Sequence, residues 1–222
     1  MELLVTGGNG FIGREVCRLA CADGHDVTSV ARSGPPPAEH RGPWARDVEW
    51  VAADVFAPHE WRERLLGVDA VVHSIGIISE APKKGVTFER INGDAGIVTA
   101  LESERADVTR FVYVSSSTKP PLVRDAYLTA KRRAERAIAD LDLETVVLRP
   151  GPVYGPAQPH FSTVLNKSLA LLGRFDWLAA RWGADRPLAL ETVARATYDA
   201  AVRDDPPSDP VDGPTMVREH AT

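Results

Sequence analysis

Short apolar runs recur along the first 150 residues of the 222-residue chain, and segments with helical periodicity separate them. Each run is almost continuous in Val, Leu, Ala and Ile, which is typical of strands buried on both faces of a parallel sheet. Six strands are predicted in this way, at residues 2–7, 26–32, 48–54, 69–75, 110–116 and 144–150. The helices predicted between them cover residues 10–22, 58–66, 87–105 and 125–140.

This alternation predicts the fold class α/β, with a doubly wound parallel Rossmann sheet whose crossovers are right-handed. After residue 150 a Pro-rich loop precedes an apolar helical stretch at 161–182 and a helix at 191–203. The predicted parts of the chain are a Rossmann domain over residues 1–155, a small C-terminal helical substrate or lid segment packed on it over 156–205, and a turn-rich, weakly ordered tail over 206–222.

Charge and composition exclude several classes of protein. The net charge of −5 provides no broad basic surface, so nucleic acid is not expected as a partner. The chain has no run of about 18 apolar residues and no basic segment of a secretory signal, so we expect a cytoplasmic protein. Cys17 and Cys21 lack the paired spacing of a zinc site, so no metal site is predicted.

Three glycines with the spacing G-x-x-G-x-x-G follow the first predicted strand and open the first predicted helix: Gly7, Gly10 and Gly13. Glycine at these positions allows a tight turn, close approach of the backbone to a diphosphate, and close packing of the helix on the sheet. The helix N-terminus adds unpaired amide groups and a positive dipole end. The pattern predicts a dinucleotide-binding loop; the alternative is a tight turn without a ligand.

The end of the second predicted strand indicates which dinucleotide binds. An acidic residue there would bind the ribose hydroxyls of NAD(H), whereas Arg32 followed by Ser33 suits the 2′-phosphate of NADP(H). NADP(H) is therefore favoured. NAD(H) is the alternative, because Arg32 is one of many arginines in this chain. Asp54, which closes the third strand, is expected near the adenine.

Tyr127 and Lys131 are four residues apart in a predicted helix, which places both side chains on one face. A phenol is a poor base near neutrality, and an adjacent ammonium group together with a positively charged nicotinamide ring would lower its pKa. One hydroxyl of the run Ser115, Ser116 and Ser117, at the end of the fifth strand, can polarise a substrate carbonyl. The residues alone leave open which serine does so.

The segments TGGNGFIG, FVYVSSS, YLTAK and LRPGPVYGP resemble motifs of the short-chain dehydrogenase/reductase superfamily, on its extended or atypical side. The resemblance implies that Tyr127 is the catalytic acid or base, that Lys131 contacts the nicotinamide ribose, and that Asn92 helps to hold the active-site strand. It favours Ser117 as the catalytic serine, with Ser116 as the fallback. Further residues that it places at the cofactor are Phe11, Ile12, Val55, Ser74, Ile75, Gly76, Ser115, Ser116, Pro150, Gly151 and Val153.

More narrowly, VARSG, HSIGI, INGDA and YLTAKRRAE resemble an atypical branch related to an accessory subunit of respiratory complex I and to a ubiquinone-biosynthesis protein. The resemblance implies an NADP(H)-dependent oxidoreductase, or an epimerase-like enzyme, acting on a carbonyl or alcohol of a small molecule. The substrate is left open, and the apolar stretch at 161–182 makes a lipid- or quinone-like molecule one candidate. The short region after Tyr154 disfavours a sugar nucleotide. The alternative is a non-catalytic NADP(H)-binding module that senses redox state or assists assembly of a complex.

The stretch at residues 161–182 has two interpretations. The first is a helical lid over the cofactor cleft, and the second is an interfacial helix that contacts a membrane and admits a lipid-like substrate. Its aromatic residues are Phe161, Phe175, Trp177 and Trp182, and its flanking cations are Lys167, Arg174 and Arg181. The second interpretation fits contact with a membrane or with a respiratory, quinone-handling complex. The chain is expected to be a monomer or a homodimer.

Overall fold

The computed structural model of the chain describes residues 1–120, 123–173 and 179–220. Its strands are β1 (Glu2–Thr6), β2 (Asp26–Ala31), β3 (Val48–Ala52), β4 (Ala70–His73), β5 (Arg110–Val114), β6 (Glu144–Arg149), β7 (Val153–Tyr154), β8 (Leu188–Ala189) and β9 (Val211–Asp212). Its α-helices are α1 (Gly13–Ala22), α2 (Ala95–Arg105), α3 (Ala126–Ala139), α4 (Thr163–Gly173), α5 (Leu190–Val202) and α6 (Gly213–His220).

Seven of the described strands form one parallel sheet in the order β3-β2-β1-β4-β5-β6-β9. The strand order reverses at β1, which pairs with β2 on one side and with β4 on the other. The predicted doubly wound Rossmann sheet is therefore confirmed. Such sheets bind ligands in the crevice at the carboxyl ends of the strands where the order reverses.

Residues of β1 alternate between two buried layers. Leu3 and Val5 face a layer that includes Val193 of α5. Leu4, between them, faces the opposite layer, which includes Ala134 of α3. Because helices cover both faces of the sheet, the strands need apolar residues at consecutive positions.

Two predicted helices differ in form from the structure. Residues 58–66 form two 3₁₀ turns, Pro58–Glu60 and Arg62–Leu65, because Trp61 between them has a non-helical backbone (φ −140°) and a buried side chain. The next predicted helix begins with a wider, π-helical segment, Glu89–Asp94, that continues into α2.

The C-terminal region differs most from its prediction. The tail predicted as turn-rich and weakly ordered contains β9, whose Val211 pairs with Leu148 of β6, and α6, whose Met216 is buried. The stretch predicted as helical at 161–182 begins with α4 and ends in a 3₁₀ segment, Ala180–Asp185. Arg174, Phe175 and Trp177 lie outside the described residues.

Candidate active site

A cleft of about 890 Å³ opens at the carboxyl ends of the strands, where the sheet order reverses. Its volume is typical of a ligand-binding site. The glycine loop forms one part of its lining, Ser115 and Ser116 with the Tyr127–Lys131 pair form another, and the segment leading into α4 forms an outer wall. One cleft therefore joins the predicted dinucleotide loop to the predicted catalytic residues.

The glycine loop turns sharply after β1, with a positive φ of 79° at Gly7. The amide of Gly10 donates to the carbonyl oxygen of Gly7 over 2.8 Å. A Cβ atom on Gly13 would overlap that same oxygen, and a Cβ atom on Gly10 would lie 3.0 Å from it. The turn and its packing on α1 thus require glycine. Phe11 and Ile12 also line the cleft.

Polar side chains follow β2 and β3 at the cleft. Arg32 is exposed there, and the hydroxyl of Ser33 accepts a 2.7 Å hydrogen bond from Nδ2 of Asn9. Asp54 accepts a 3.0 Å hydrogen bond from the amide of Phe56, which fixes the turn after β3. The sequence analysis did not single out Asn9 or Phe56, although both line the cleft.

Nine further residues predicted at the cofactor line the cleft: Val55, Ser74, Ile75, Gly76, Ser115, Ser116, Pro150, Gly151 and Val153. Gly13 and Ser33 are not part of its lining. The hydroxyl of Ser74 donates to the carbonyl oxygen of Thr6 over 2.9 Å, which ties the end of β4 to the glycine loop. A Cβ atom on Gly151 would overlap the backbone of Arg186, so the loop after β6 can pass close to this segment only with glycine.

Asn92 is buried in the π-helical segment and bridges two backbone groups of one residue. Its Oδ1 accepts from the amide of Ile77 over 2.7 Å, and its Nδ2 donates to the Ile77 carbonyl oxygen over 2.9 Å. The hydroxyl of Tyr113 in β5 donates to the carbonyl oxygen of Asn92 over 2.7 Å. Asn92 therefore fixes the chain that leaves β4 beside the cleft.

Tyr127 is the second residue of α3, and its side chain is largely buried. Its ring packs edge-on against Phe88, with 5.6 Å between the ring centroids. Burial raises the pKa of Tyr127, while a hydrogen bond with Ser116 and the charge of Arg132 act to lower it. The lowered pKa expected from the sequence requires the ammonium group of Lys131 together with a positively charged nicotinamide ring. The protein's own groups instead keep the phenol protonated near neutral pH.

Lys131 lies one turn further along α3 and is 3% exposed. Its ammonium group donates to the carbonyl oxygen of Val114 over 2.8 Å and lies 5.0 Å from the ring centroid of Tyr113. Burial lowers the pKa of Lys131 to about 8, although Glu135 acts to raise it. A Cβ atom on Gly76 would lie 3.5 Å from the ammonium nitrogen, so Gly76 and the amine meet at the wall of the cleft.

The three serines after β5 have different surroundings. Ser116 lines the cleft, close enough to Tyr127 to act on its pKa, and its hydroxyl donates to the carbonyl oxygen of Thr118 over 2.6 Å. Ser115 donates to the carboxylate of Glu135. The hydroxyl of Ser117 is buried, has no hydrogen-bond partner within the described residues, and does not line the cleft. Of the two candidate serines, the structure therefore brings Ser116, and not Ser117, to the cleft that Tyr127 lines.

A buried ion network supports the serine run and was missed by the sequence analysis. Glu135 of α3 accepts from Arg132 and from Arg149 of β6, each over 2.6 Å, in addition to Ser115. Burial acts to raise the pKa of Glu135, but the hydrogen bonds from Arg149 and Ser115 outweigh it, and the pKa is lowered. The signal in the sequence is a glutamate four residues after Lys131 on the same helical face.

The outer wall of the cleft is apolar. Its lining residues include Phe161, Leu165, Leu169 and Trp182. None of the residues of α4 is buried, and Val164 and Leu171 are 75% and 59% exposed. Across residues 1–120, 123–173 and 179–220, no helix has both the length and the apolar character needed to span a bilayer.

The cleft fits a nicotinamide dinucleotide. The absence of a Cβ atom at Gly10 leaves room for a diphosphate at the loop, and α1 begins directly behind it. The paired tyrosine and lysine line the same cleft. Fold and site thus define a dinucleotide-binding α/β protein.

The chain belongs to the NAD(P)H-binding family, which matches residues 7–168, and it is an atypical member of the short-chain dehydrogenase/reductase group. The family match shows that the chain binds a nicotinamide dinucleotide.

Three relatives cover about two thirds of the chain. An uncharacterized chloroplastic protein of Arabidopsis thaliana is 37% identical over 69% of this chain and 51% of its own length. MIOREX complex component 2 of Saccharomyces cerevisiae is 30% identical over 68% and 72%. Ceramide reductase of Caulobacter vibrioides is 32% identical over 68% and 46%. The chain thus spans about half the length of the plant and Caulobacter proteins.

Solved structures share the fold. UDP-glucuronic acid 4-epimerase from Bacillus cereus, in complex with NAD, superimposes with a TM-score of 0.67 over 90% of this chain and 73% of its own. The two chains are 18% identical, so this likeness concerns the fold alone.

Proposed function

We propose that the chain is an NADP(H)-dependent oxidoreductase that interconverts a carbonyl and an alcohol on a lipid- or quinone-like substrate. The proposal rests on one observation: Tyr127, Ser116 and Lys131 share a cleft with the glycine loop. An epimerase-like reaction would use the same three residues.

In the reductive direction, a nicotinamide dinucleotide held at the glycine loop would supply the hydride for the carbonyl carbon. Tyr127 supplies the proton, because its raised pKa keeps the phenol protonated and able to donate to the carbonyl oxygen. The hydroxyl of Ser116 turns from the carbonyl oxygen of Thr118 to hold the substrate oxygen by a second hydrogen bond. The ammonium group of Lys131 stabilises the phenolate that remains on Tyr127.

A preference for NADP(H) is the second part of the proposal. Arg32 is exposed beside the cleft after β2, and a guanidinium group binds phosphate with two parallel hydrogen bonds. Ser33 offers a hydroxyl next to it, positioned by Asn9.

The lipid- or quinone-like substrate follows from the apolar wall formed by Phe161, Leu165 and Leu169. Half-exposed apolar side chains gain free energy when a ligand removes them from water. The similarity to a protein named ceramide reductase supports this class of substrate.

The test is the substitution Tyr127→Phe, which removes only the hydroxyl group. With a panel of long-chain aldehydes, ketones and quinones, we expect NADPH oxidation to fall about 1,000-fold. The Kd for NADPH, measured by fluorescence, should not change. Tyr198→Phe, which alters a buried tyrosine of α5 outside the cleft, is the matched control. Unchanged turnover in Tyr127→Phe would refute the assignment.

A second candidate is a non-catalytic NADP(H)-binding module in a protein complex. The similarity to a yeast protein named as a complex component favours it. Tightly bound NADPH that no compound of the same panel oxidises would support this function and contradict the first.

A further inference from the structure

The cleft is cationic although the chain as a whole is acidic. The net charge of the chain is −5, and the chain has only five lysines. Three of these five, Lys84, Lys119 and Lys131, line the cleft. The other cations in its lining are Arg32 and Arg90, whereas the carboxylates are Asp54 and Asp185.

Three of the cations have roles already. Arg32 is assigned to the cofactor phosphate, and Lys131 is the buried amine of the catalytic pair. Arg90 lies over the ring of Phe56, with 4.0 Å between its guanidinium carbon and the ring centroid. Lys84 and Lys119 remain without a role.

The loop that carries Lys84 is held beside Tyr127. Ala81 and Val86 pair across this loop as a β-bridge. The carboxylate of Glu80 accepts a 3.0 Å hydrogen bond from the amide of Phe88, the residue whose ring packs on Tyr127. The loop is therefore fixed at the catalytic part of the cleft.

Lys84 itself is exposed, and it forms no ion pair or hydrogen bond through its side chain within the described residues. Lys119 is less available, because its ammonium group donates to the carbonyl oxygen of Val123 over 2.7 Å and lies 3.2 Å from the carboxylate of Asp125. Lys84 is thus the stronger anion-binding group of the two.

We propose that the substrate is amphipathic, with an anionic head bound by Lys84 and assisted by Lys119, and an alkyl chain against α4. The proposal rests on the function proposed above and specifies its substrate. The carbonyl would lie at Tyr127, between the cationic loop and the apolar wall. Carboxylate and phosphate heads share the chemistry that a lysine recognises, a compact negative charge.

The test compares medium-chain oxo-fatty acids with their methyl esters and with oxoalkyl phosphates, using the whole chain and NADPH. The substitution is Lys84→Met, and Lys83→Met, at an exposed neighbour that does not line the cleft, is the matched control. We expect Lys84→Met to raise KM for the anionic substrates about threefold to fivefold, with kcat, the KM of the esters and the Kd of NADPH unchanged. A larger effect on acids or on phosphates identifies the head group.

Equal KM values for acids and esters in the unmodified chain, or a Lys84→Met chain indistinguishable from Lys83→Met, would overturn the proposal. Binding of the corresponding hydroxy-fatty acids, measured by calorimetry on the NADPH complex, separates this proposal from the proposed function. Binding that depends on Lys84 without any turnover supports the anionic head and contradicts the oxidoreductase. Turnover that does not depend on Lys84 supports the oxidoreductase and contradicts the anionic head.

Discussion

Two sides of the cleft, the glycine loop and the apolar wall that includes α4, are formed by different kinds of contact. On the glycine-loop side, backbone packs on backbone, as at Gly13, where a Cβ atom would overlap the carbonyl oxygen of Gly7. On the α4 side, apolar side chains line the cleft and remain partly exposed to solvent; Leu165, for example, is 43% exposed.

This difference separates two kinds of recognition. A backbone turn behind a helix N-terminus accommodates a diphosphate and little else. A partly exposed apolar wall binds an alkyl chain with a free energy roughly proportional to the apolar area that is buried, so it accepts chains of different length. We therefore infer strict selection of the cofactor and loose selection of the substrate.

The largest effect is expected for Gly10→Ala. Its Cβ atom would lie 3.0 Å from the carbonyl oxygen of Gly7 and would occupy the surface that a diphosphate approaches. We expect the Kd for NADPH to rise about 100-fold, equivalent to about 2.7 kcal/mol. The thermal midpoint without cofactor is the control for the fold. An NADPH-induced rise in midpoint equal to that of the unmodified chain would show that the loop does not bind the diphosphate.

A smaller effect is expected for Arg32→Ala. Loss of a phosphate-binding guanidinium should weaken NADPH binding about tenfold, while NADH, which has no 2′-phosphate, should bind as before. Parallel titrations with the two reduced cofactors measure this. If both affinities change alike, Arg32 does not distinguish the cofactors.

The smallest effect is expected for Leu169→Ser in α4. The matched control is Leu171→Ser in the same helix. Leu169 lines the cleft, whereas Leu171 is exposed outside its lining. Loss of about 1 kcal/mol of apolar contact in Leu169→Ser should raise the KM of a long-chain substrate about fivefold, and Leu171→Ser should leave it unchanged. Steady-state kinetics with the two variants decides. An identical response from both would mean that α4 is not the chain-binding wall.

Local patterns predicted the sheet but not its last strand. β2 and β5 begin at the predicted residues, because each is a run of apolar residues long enough to be recognised alone. β9 has two residues and exists because Val211 reaches the open edge of β6. Nothing in the local sequence DPVDGP carries that information.

The site shows the same limit. Tyr127 and Lys131 were found from their spacing, since one helix positions both. The choice between Ser116 and Ser117 depends on how the chain leaves β5, which the run of identical residues hides. The ion pair of Glu135 with Arg149 depends on the packing of α3 beside β6, so it follows only from the tertiary structure.

Because Asn92 lies in the π-helical segment Glu89–Asp94, its orientation depends on the number of residues in that segment. Deletion of one residue from that segment would restore regular helical winding and rotate everything ahead of it by ~100° about the axis of α2. The amide group that now spans both backbone atoms of Ile77 would swing away from them. A related chain that is one residue shorter in this segment would therefore need another group to hold the backbone of the residue equivalent to Ile77.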